Sequence, residues 1–217
     1  MSARFLLALL LAAARPAAAQ IPVEVLAGHQ RTTVDIMFFR FFQNREGQPS
    51  EWLFFSRSRA AVEYRQTAAA SPPQFGFTGA VSWNRASLKG VAPVAVAQIL
   101  SRGVFAKAGL QYAHLGRRWT VFGWAVSELN ARPVVDVFAL VRCTPAFTAR
   151  LGGFFQLESL AAVPAQADGS LSLVQRGRAG LKTGHWQYGL GADFSQTETG
   201  SAWSFFSNAG LFIRHEF

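Results

Sequence analysis

The sequence predicts an all-β protein, a closed antiparallel up-and-down β-barrel of about 12 strands, with 10 strands as the alternative count. One observation behind this prediction is the alternation of apolar and polar residues, which is clearest over residues 186–195. Because successive side chains of a strand point to opposite faces, this period of two makes one face apolar and the other polar. A second observation is that clusters of Gly, Pro, Asn and Ser divide the chain into segments of strand length.

The first residues form a segment that differs from the strands. Arg4 precedes the apolar run Phe5–Ala14, and the small residues Ala17–Ala19 follow. This order is typical of a secretory signal peptide. A run of ten apolar residues is shorter than the roughly 20 that a membrane-spanning helix needs, which disfavours a retained anchor. We therefore expect residues 1–19 to be a signal peptide and residues 20–217 to form a single barrel domain.

The turn signals give the order of the predicted strands. They lie at residues 44–50, 68–74, 84–90, 101–103, 116–118, 130–133, 144–149, 164–170, 183–184 and 196–201. Between them lie eleven segments, each about the 9 to 11 residues that a tilted strand uses to cross a bilayer. Fusing neighbouring segments gives the alternative of ten strands.

Composition distinguishes a membrane barrel from a soluble one. A soluble barrel buries its apolar face and needs charged side chains on its wet face and edges. Here only 15% of the residues are charged, and many polar-face positions are Gly, Ser, Ala or Gln. The composition therefore favours a transmembrane β-barrel whose apolar face contacts lipid. Aromatic residues near strand ends match the girdles at membrane interfaces, namely Trp52, Tyr64, Trp119, Trp186 and Phe194.

The last predicted strand carries the most specific signal. In SFFSNAGLFIRHEF, the apolar face includes Leu211, Ile213 and the final Phe217. This strand resembles the C-terminal assembly signal of bacterial outer-membrane proteins, which ends in an aromatic residue. It departs from that signal at His215, where a hydrophobic residue is usual. Together with the N-terminal segment and the alternation, the strand makes the chain similar to small outer-membrane β-barrels of Gram-negative bacteria, of the porin-like and OmpA-like class.

This resemblance implies a place in the cell outer membrane. The partners it implies are outer-membrane lipid, lipopolysaccharide and the barrel-assembly machinery. Bacterial single-chain barrels have even strand numbers and both chain ends on the periplasmic side. The short apolar stretch Pro22–Ala27 is therefore counted as the twelfth strand. Residues 164–170 and 196–201 are then expected outside, and the tight turn at residues 183–184 is expected in the periplasm.

The polar faces of the predicted strands would line the lumen of such a barrel. The candidate lumen residues are Arg57, Arg59, Glu63, Arg65, Asp136, Arg142, Glu158, Arg176, Arg178, Lys182, Asp193, Arg214 and Glu216. Basic residues outnumber acidic ones, and basic rings raise the local concentration of anions. This predicts a narrow passage that favours small anionic solutes. The alternative is a lattice of Arg–carboxylate pairs that fills the interior, because small barrels are filled by their own side chains.

Catalysis has little support in the sequence. Some outer-membrane barrels are lipid hydrolases with a serine activated by histidine, but Phe205 stands where a histidine would precede Ser207. No metal-ligand spacing or cofactor motif is found, and the dispersed basic charge does not indicate nucleic-acid binding. The sequence thus predicts a porin-like or structural membrane barrel without catalysis. The alternatives are a lipid-modifying enzyme of the acyl hydrolase type and a soluble periplasmic lipocalin-like barrel that binds a hydrophobic ligand.

Overall fold

The computed structural model describes residues 21–64, 74–101, 103–166, 169–200 and 202–217. The predicted signal peptide and the candidate lumen residue Arg65 lie outside these ranges. The described residues form twelve antiparallel strands, and the first pairs with the last to close one barrel. The predicted fold class and the count of 12 strands are therefore confirmed. The strands are β1 Pro22–Gly28, β2 Arg31–Gln43, β3 Pro49–Glu63, β4 Gln74–Trp83, β5 Val91–Leu100, β6 Gly103–Leu115, β7 Trp119–Glu128, β8 Val134–Cys143, β9 Leu151–Pro164, β10 Ser172–Thr183, β11 Trp186–Thr199 and β12 Ala202–Glu216.

The seam of the barrel is the pairing of β1 with β12. A Cβ atom on Gly210 would lie 1.9 Å from the carbonyl oxygen of Ala27, so only glycine allows the two strands to approach this closely. Next to the seam, Ile21 and Phe217 exchange both backbone hydrogen bonds, each 3.2 Å long. The stretch that the sequence predicts as a twelfth strand is thus a paired strand of the barrel.

Two local features differ from the predicted pattern. Residues 196–201 are expected as a turn, but β11 continues through Thr199, because threonine suits a strand and Gly200, at φ +63°, supports the reversal. In β2 the pairing with β3 shifts register between Phe41 and Gln43. This irregularity explains why the phenylalanine-rich end of β2 does not alternate cleanly.

The two ends of the barrel are distinguished by the position of Ile21 and Phe217. The end beside them, called the termini end, carries the connections 44–48, 84–90, 116–118, 144–150 and 184–185. The opposite end, called the far end, carries the connections 29–30, 64–73, 101–102, 129–133, 165–171 and 200–201. Each end has connections of two and of seven residues, and the longest connection, residues 64–73, lies at the far end. The only helical segment of the described residues is the single turn Ala86–Leu88, and none is long and apolar enough to cross a membrane.

The outward face of the barrel is apolar. Leu190 is 68% exposed and Leu211 is 66% exposed, whereas the inward Asp193 is 3% exposed. A soluble lipocalin-like barrel buries its apolar face, so this arrangement is the reverse of that alternative. Exposed aromatic side chains lie near both ends of the strands, and they include all five residues predicted for the girdles: Trp52, Tyr64, Trp119, Trp186 and Phe194.

Deletion of Phe217 is expected to reduce insertion of the barrel severalfold. Its ring is 71% exposed on the outward face, and its backbone ties the seam to Ile21. The measurement is the amount of heat-modifiable barrel in isolated outer membranes. The matched control, Phe217→Tyr, keeps an aromatic ring and the backbone bonds, so it should insert at the wild-type level. Unchanged insertion of the deletion variant would contradict the assembly role.

Candidate lumen site

The inward face of the barrel carries every candidate lumen residue that the structure describes. Those that are buried are Asp136, Glu158, Arg178, Asp193 and Arg214. Those that are half-buried are Arg57, Arg59, Glu63, Arg142, Arg176, Lys182 and Glu216. Their contacts divide them into a central lattice and separate pairs near the two ends.

One ion pair of the lattice crosses the lumen. Arg57 of β3 donates from Nη1 to a carboxylate oxygen of Glu158 on β9, at 2.8 Å. In a ring of twelve strands, β3 and β9 are six strands apart, so the pair joins opposite walls. The same guanidinium also donates to Asp35 on the neighbouring strand β2, from Nε at 3.1 Å and from Nη2. Two carboxylates therefore hold Arg57 across the barrel.

Arg59 and Arg178 extend the lattice along the wall. Arg178 donates from Nε to Glu24 at 2.8 Å and from Nη1 to Asp193 at 2.9 Å. Arg59 donates from Nη2 to the same Asp193 and from Nη1 to Asp35 at 3.4 Å. Each of these two arginines thus contacts two carboxylates. The contacts form the kind of Arg–carboxylate lattice that the sequence gives as the alternative to an open passage.

Arg142 and Arg214 share an amide oxygen. Arg142 Nε and Arg214 Nη1 donate to Oε1 of Gln156, at 2.7 Å and 3.1 Å. Both guanidinium groups also lie over the ring of Phe154, at 5.8 Å and 5.2 Å from its centre, which is within the range of cation–π attraction. Gln156 in turn donates to Glu158 at 2.7 Å. The amide thereby connects these two cations to the ion pair that crosses the lumen.

Three of the remaining predicted residues, Lys182, Glu216 and Glu63, form local contacts near the two ends, whereas Arg176 contacts Glu158 of the lattice at 3.4 Å. At the termini end, Lys182 Nζ lies 3.0 Å from Glu216, which also accepts a bond of 2.7 Å from Gln187. At the far end, Gln74 donates to Glu63 at 3.2 Å. The structure therefore does not bring all the predicted lumen residues together in one site.

Lys107 is a lumen residue that the sequence analysis did not select. It is 1% exposed, and its Nζ lies 2.6 Å from Asp136 and 3.4 Å from Glu128. The available signal is its isolation between Ala106 and Ala108, since a lysine between small apolar residues of an alternating strand faces inward. Three buried carboxylates of the interior are likewise absent from the predicted lumen residues, namely Glu24, Asp35 and Glu128.

Aromatic side chains also meet across the lumen, which the expectation of polar inward faces did not include. Phe55 of β3 stacks on Phe122 of β7 with ring centres 5.2 Å apart. Trp124 meets Phe55 edge to face at 5.1 Å and lies 5.3 Å from Phe138. We call these four residues the aromatic cluster; none of them is more than 7% exposed. Because β3 and β7 are four strands apart, the cluster narrows the barrel from the inside.

A cavity of about 440 Å³ lies between the aromatic cluster and the far end. Its charged lining residues are Arg57, Arg59, Arg176 and Asp136. An adjoining cavity of about 380 Å³ shares Arg59 and Arg176 and adds Arg31. Among the described residues that line the two cavities, the charged side chains are thus four arginines and one carboxylate.

The serine and histidine considered for a lipid-modifying enzyme do not lie together. Ser207 and His215 lie on the same strand eight residues apart, which separates them by roughly 26 Å and prevents a direct hydrogen bond. In the part of the chain that the structure covers, no three His, Cys, Asp or Glu side chains form a group that could hold a metal ion.

The chain was compared with protein families, curated proteins and solved structures. No protein-family model matches the chain, and no curated protein matches its sequence. The KdgM porin in complex with disordered oligogalacturonate is similar at a TM-score of 0.47 and 9% identity, over 91% of this chain and 99% of that chain. The KdgM porin alone gives 0.45 and 8% identity, over 91% and 99%. The β domain of the Bordetella autotransporter BrkA gives 0.38 and 10% identity, over 92% and 100%.

Proposed function

We propose that the protein is a non-catalytic, porin-like barrel of the cell outer membrane, whose narrow lumen favours small anionic solutes. The observation that carries the proposal is the charge of the cavities at the far end, where four arginines face one carboxylate. That carboxylate, Asp136, lies 2.6 Å from Lys107 Nζ. The arginines are themselves in contact with three carboxylates outside the lining, namely Asp35, Glu158 and Asp193, and Arg176 has the fewest such contacts among those of the larger cavity. Fixed cations in a low-dielectric wall attract anions and oppose the entry of cations.

The contacts across the lumen support a passage of low conductance. The Arg57–Glu158 pair joins opposite walls of the barrel. Phe55 of β3 stacks on Phe122 of β7, so a second contact also spans the lumen. A barrel of twelve strands lies between eight-stranded barrels, which side chains fill, and sixteen-stranded barrels, which are open. A solute that crosses this barrel must therefore displace side chains that contact one another across the lumen.

The exterior supports the placement in a membrane. Outer-membrane lipid would contact the apolar outward face, and the exposed aromatic residues would lie at the headgroups. With the termini end in the periplasm, lipopolysaccharide would meet the far end, where Arg132 is exposed. The barrel-assembly machinery would receive β12, and export would use the signal peptide expected at residues 1–19.

Reversal potentials in a planar bilayer test the anion preference. With a salt gradient across the refolded barrel, we expect the wild type to show the sign of an anion-selective channel. The double variant Arg59→Gln/Arg176→Gln removes two positive charges from both cavities and should at least halve this potential. Arg178 is unsuitable for this test because it is buried between Glu24 and Asp193.

The matched control for this test is Arg85→Gln. Arg85 lies at the termini end with its side chain 54% exposed, so its loss should leave the reversal potential unchanged. Cation selectivity in the wild type, or the same potential in the double variant, would contradict an anion preference set by the cavity arginines. A folded, heat-modifiable barrel without any conductance would overturn the passage itself.

A further inference from the structure

The cavity at the far end is lined by residues whose hydrogen-bond donors lack acceptors. Arg176 contacts one carboxylate, from Nη1 to Glu158 at 3.4 Å, and its Nε is buried without an acceptor among the described residues. The indole Nε1 of Trp124, which lines the same cavity, is likewise buried and finds no acceptor there. Both atoms are covered by neighbouring protein atoms, so an acceptor oxygen of a ligand reaches them only when a lining side chain moves; a buried donor without a partner is unfavourable, and such an acceptor would satisfy it.

The contacts of the lining arginines leave Arg176 as the group most available to an anion. Arg57 uses Nε, Nη1 and Nη2 in bonds to Asp35 and Glu158. Arg59 contacts two carboxylates as well, whereas Arg176 makes only the one long contact with Glu158. Arg176 is therefore the least neutralised of the three arginines that line the 440 Å³ cavity, and a guanidinium is suited to bidentate binding of a carboxylate.

One side of the cavity suits a flat apolar body, whereas other lining residues are polar, namely Thr78, Gln98, Asp136, Ser170, Ser172 and Thr197. Three residues of the aromatic cluster, Phe55, Trp124 and Phe138, line one side of the cavity. Leu100 and Leu160 also belong to its lining. The volume of about 440 Å³ falls within the 300 to 1,000 Å³ that is typical of small-molecule sites. An aromatic ring of a ligand can stack on such a surface, which adds to the gain from burying its area.

We infer that this cavity is a binding site for aryl carboxylates, with the carboxylate on Arg176 and the ring against Phe55, Trp124 and Phe138. The inference rests on the proposed function, because it takes the far end to be accessible from the medium. It adds to that function a class of ligand that combines a single carboxylate with a flat apolar body. Such an anion contacts both Arg176 and the aromatic side of the cavity, whereas an inorganic anion interacts only with the charges of the lining.

Titration calorimetry with 2-naphthoate tests the inference on the full-length barrel, refolded in a non-ionic detergent. We expect the wild type to bind 2-naphthoate at least about tenfold more tightly than the neutral 2-naphthamide, since a hydrogen bond between two charged groups is stronger than one to a neutral amide. Arg176→Gln should weaken naphthoate binding by about the same factor and remove the difference between the two ligands. Trp124→Phe should weaken both ligands alike, because it alters the stacking surface and leaves the charge.

Matched controls separate the site from binding to the detergent or to the outer surface. Arg85→Gln, at the termini end, should leave both affinities unchanged. Equal affinity for naphthoate and naphthamide in the wild type overturns the inference, even if Arg176→Gln fails to fold. Unchanged naphthoate binding in folded Arg176→Gln overturns it too. Anion-selective conductance without naphthoate binding refutes the inference and leaves the proposed function, whereas binding by a folded, silent barrel refutes the channel and leaves the site.

Discussion

Replacement of Phe122 by alanine is expected to raise the single-channel conductance at least about twofold, because it removes a central ring of the aromatic cluster. Phe122 is 1% exposed and lies 4.8 Å from Phe39, 5.2 Å from Phe55 and 5.5 Å from Trp124, measured between ring centres. Without it, Phe39 of β2 loses its aromatic contact on β7, and Phe55 of β3 keeps only Trp124 there. The variant should also lose about 3 to 5 kcal/mol of unfolding free energy, the usual cost of removing a buried phenylalanine.

Single-channel recordings of folded Phe122→Ala and wild-type barrels give the measurement. Phe205→Ala is the matched control, because Phe205 is 64% exposed on the outward face and its loss should not change the conductance. If folded Phe122→Ala conducts no better than the wild type, the aromatic cluster does not limit the passage. The restriction would then lie in the ion pair between Arg57 and Glu158.

Replacement of Lys107 by methionine is expected to destabilise the barrel by about 3 to 5 kcal/mol, since removing one member of a buried ion pair leaves its partner uncompensated. Lys107 is 1% exposed, with Asp136 at 2.6 Å and Glu128 at 3.4 Å. Methionine keeps most of the volume and the apolar stem, so the loss reports the charge. Urea unfolding of barrels refolded in lipid vesicles, followed by tryptophan fluorescence, gives the free energy of unfolding.

Two further variants decide what the stability loss means. Lys182→Met removes a lysine that is 32% exposed and contacts Glu216 at 3.0 Å, so we expect a cost of less than about 1 kcal/mol. Adding Asp136→Asn to Lys107→Met removes the stranded carboxylate and should recover a large part of the lost free energy. Equal losses for Lys107→Met and Lys182→Met, with no recovery in the double variant, would show that Lys107 acts through packing alone.

The fold could be predicted because alternation is a local property of the chain. Asp193 lies between apolar neighbours in its strand, so its charged side chain points to the opposite face, which is the inside of the barrel. The same reasoning places Arg178 and Arg214 inside the barrel. The connection at residues 84–90 has the predicted bounds, since Asn and Gly mark both its ends. The outward Leu211 and Ile213 follow from the same period of two.

The contacts within the lumen could not be predicted, because they depend on the closure of the barrel. Arg57 and Glu158 are 101 residues apart, and only the complete ring brings β3 opposite β9. The aromatic cluster was missed for another reason. Where both faces of a strand are apolar, as around Phe122, alternation does not distinguish a lumen ring from a lipid-facing one. Pair partners and ring contacts therefore needed the three-dimensional arrangement.

The backbone bonds between Ile21 and Phe217 make the barrel suitable for circular permutation. These residues exchange two hydrogen bonds of 3.2 Å, so a short linker can join them without disturbing the pairing of β1 with β12. New ends can be opened at residues 184–185, the two-residue connection between β10 and β11 at the same end of the barrel. In the permuted chain every strand would keep its neighbours, but β12 would lie inside the chain instead of at its C-terminus. Such a chain can therefore show whether assembly depends on the sequence of β12 or on its position at the C-terminus.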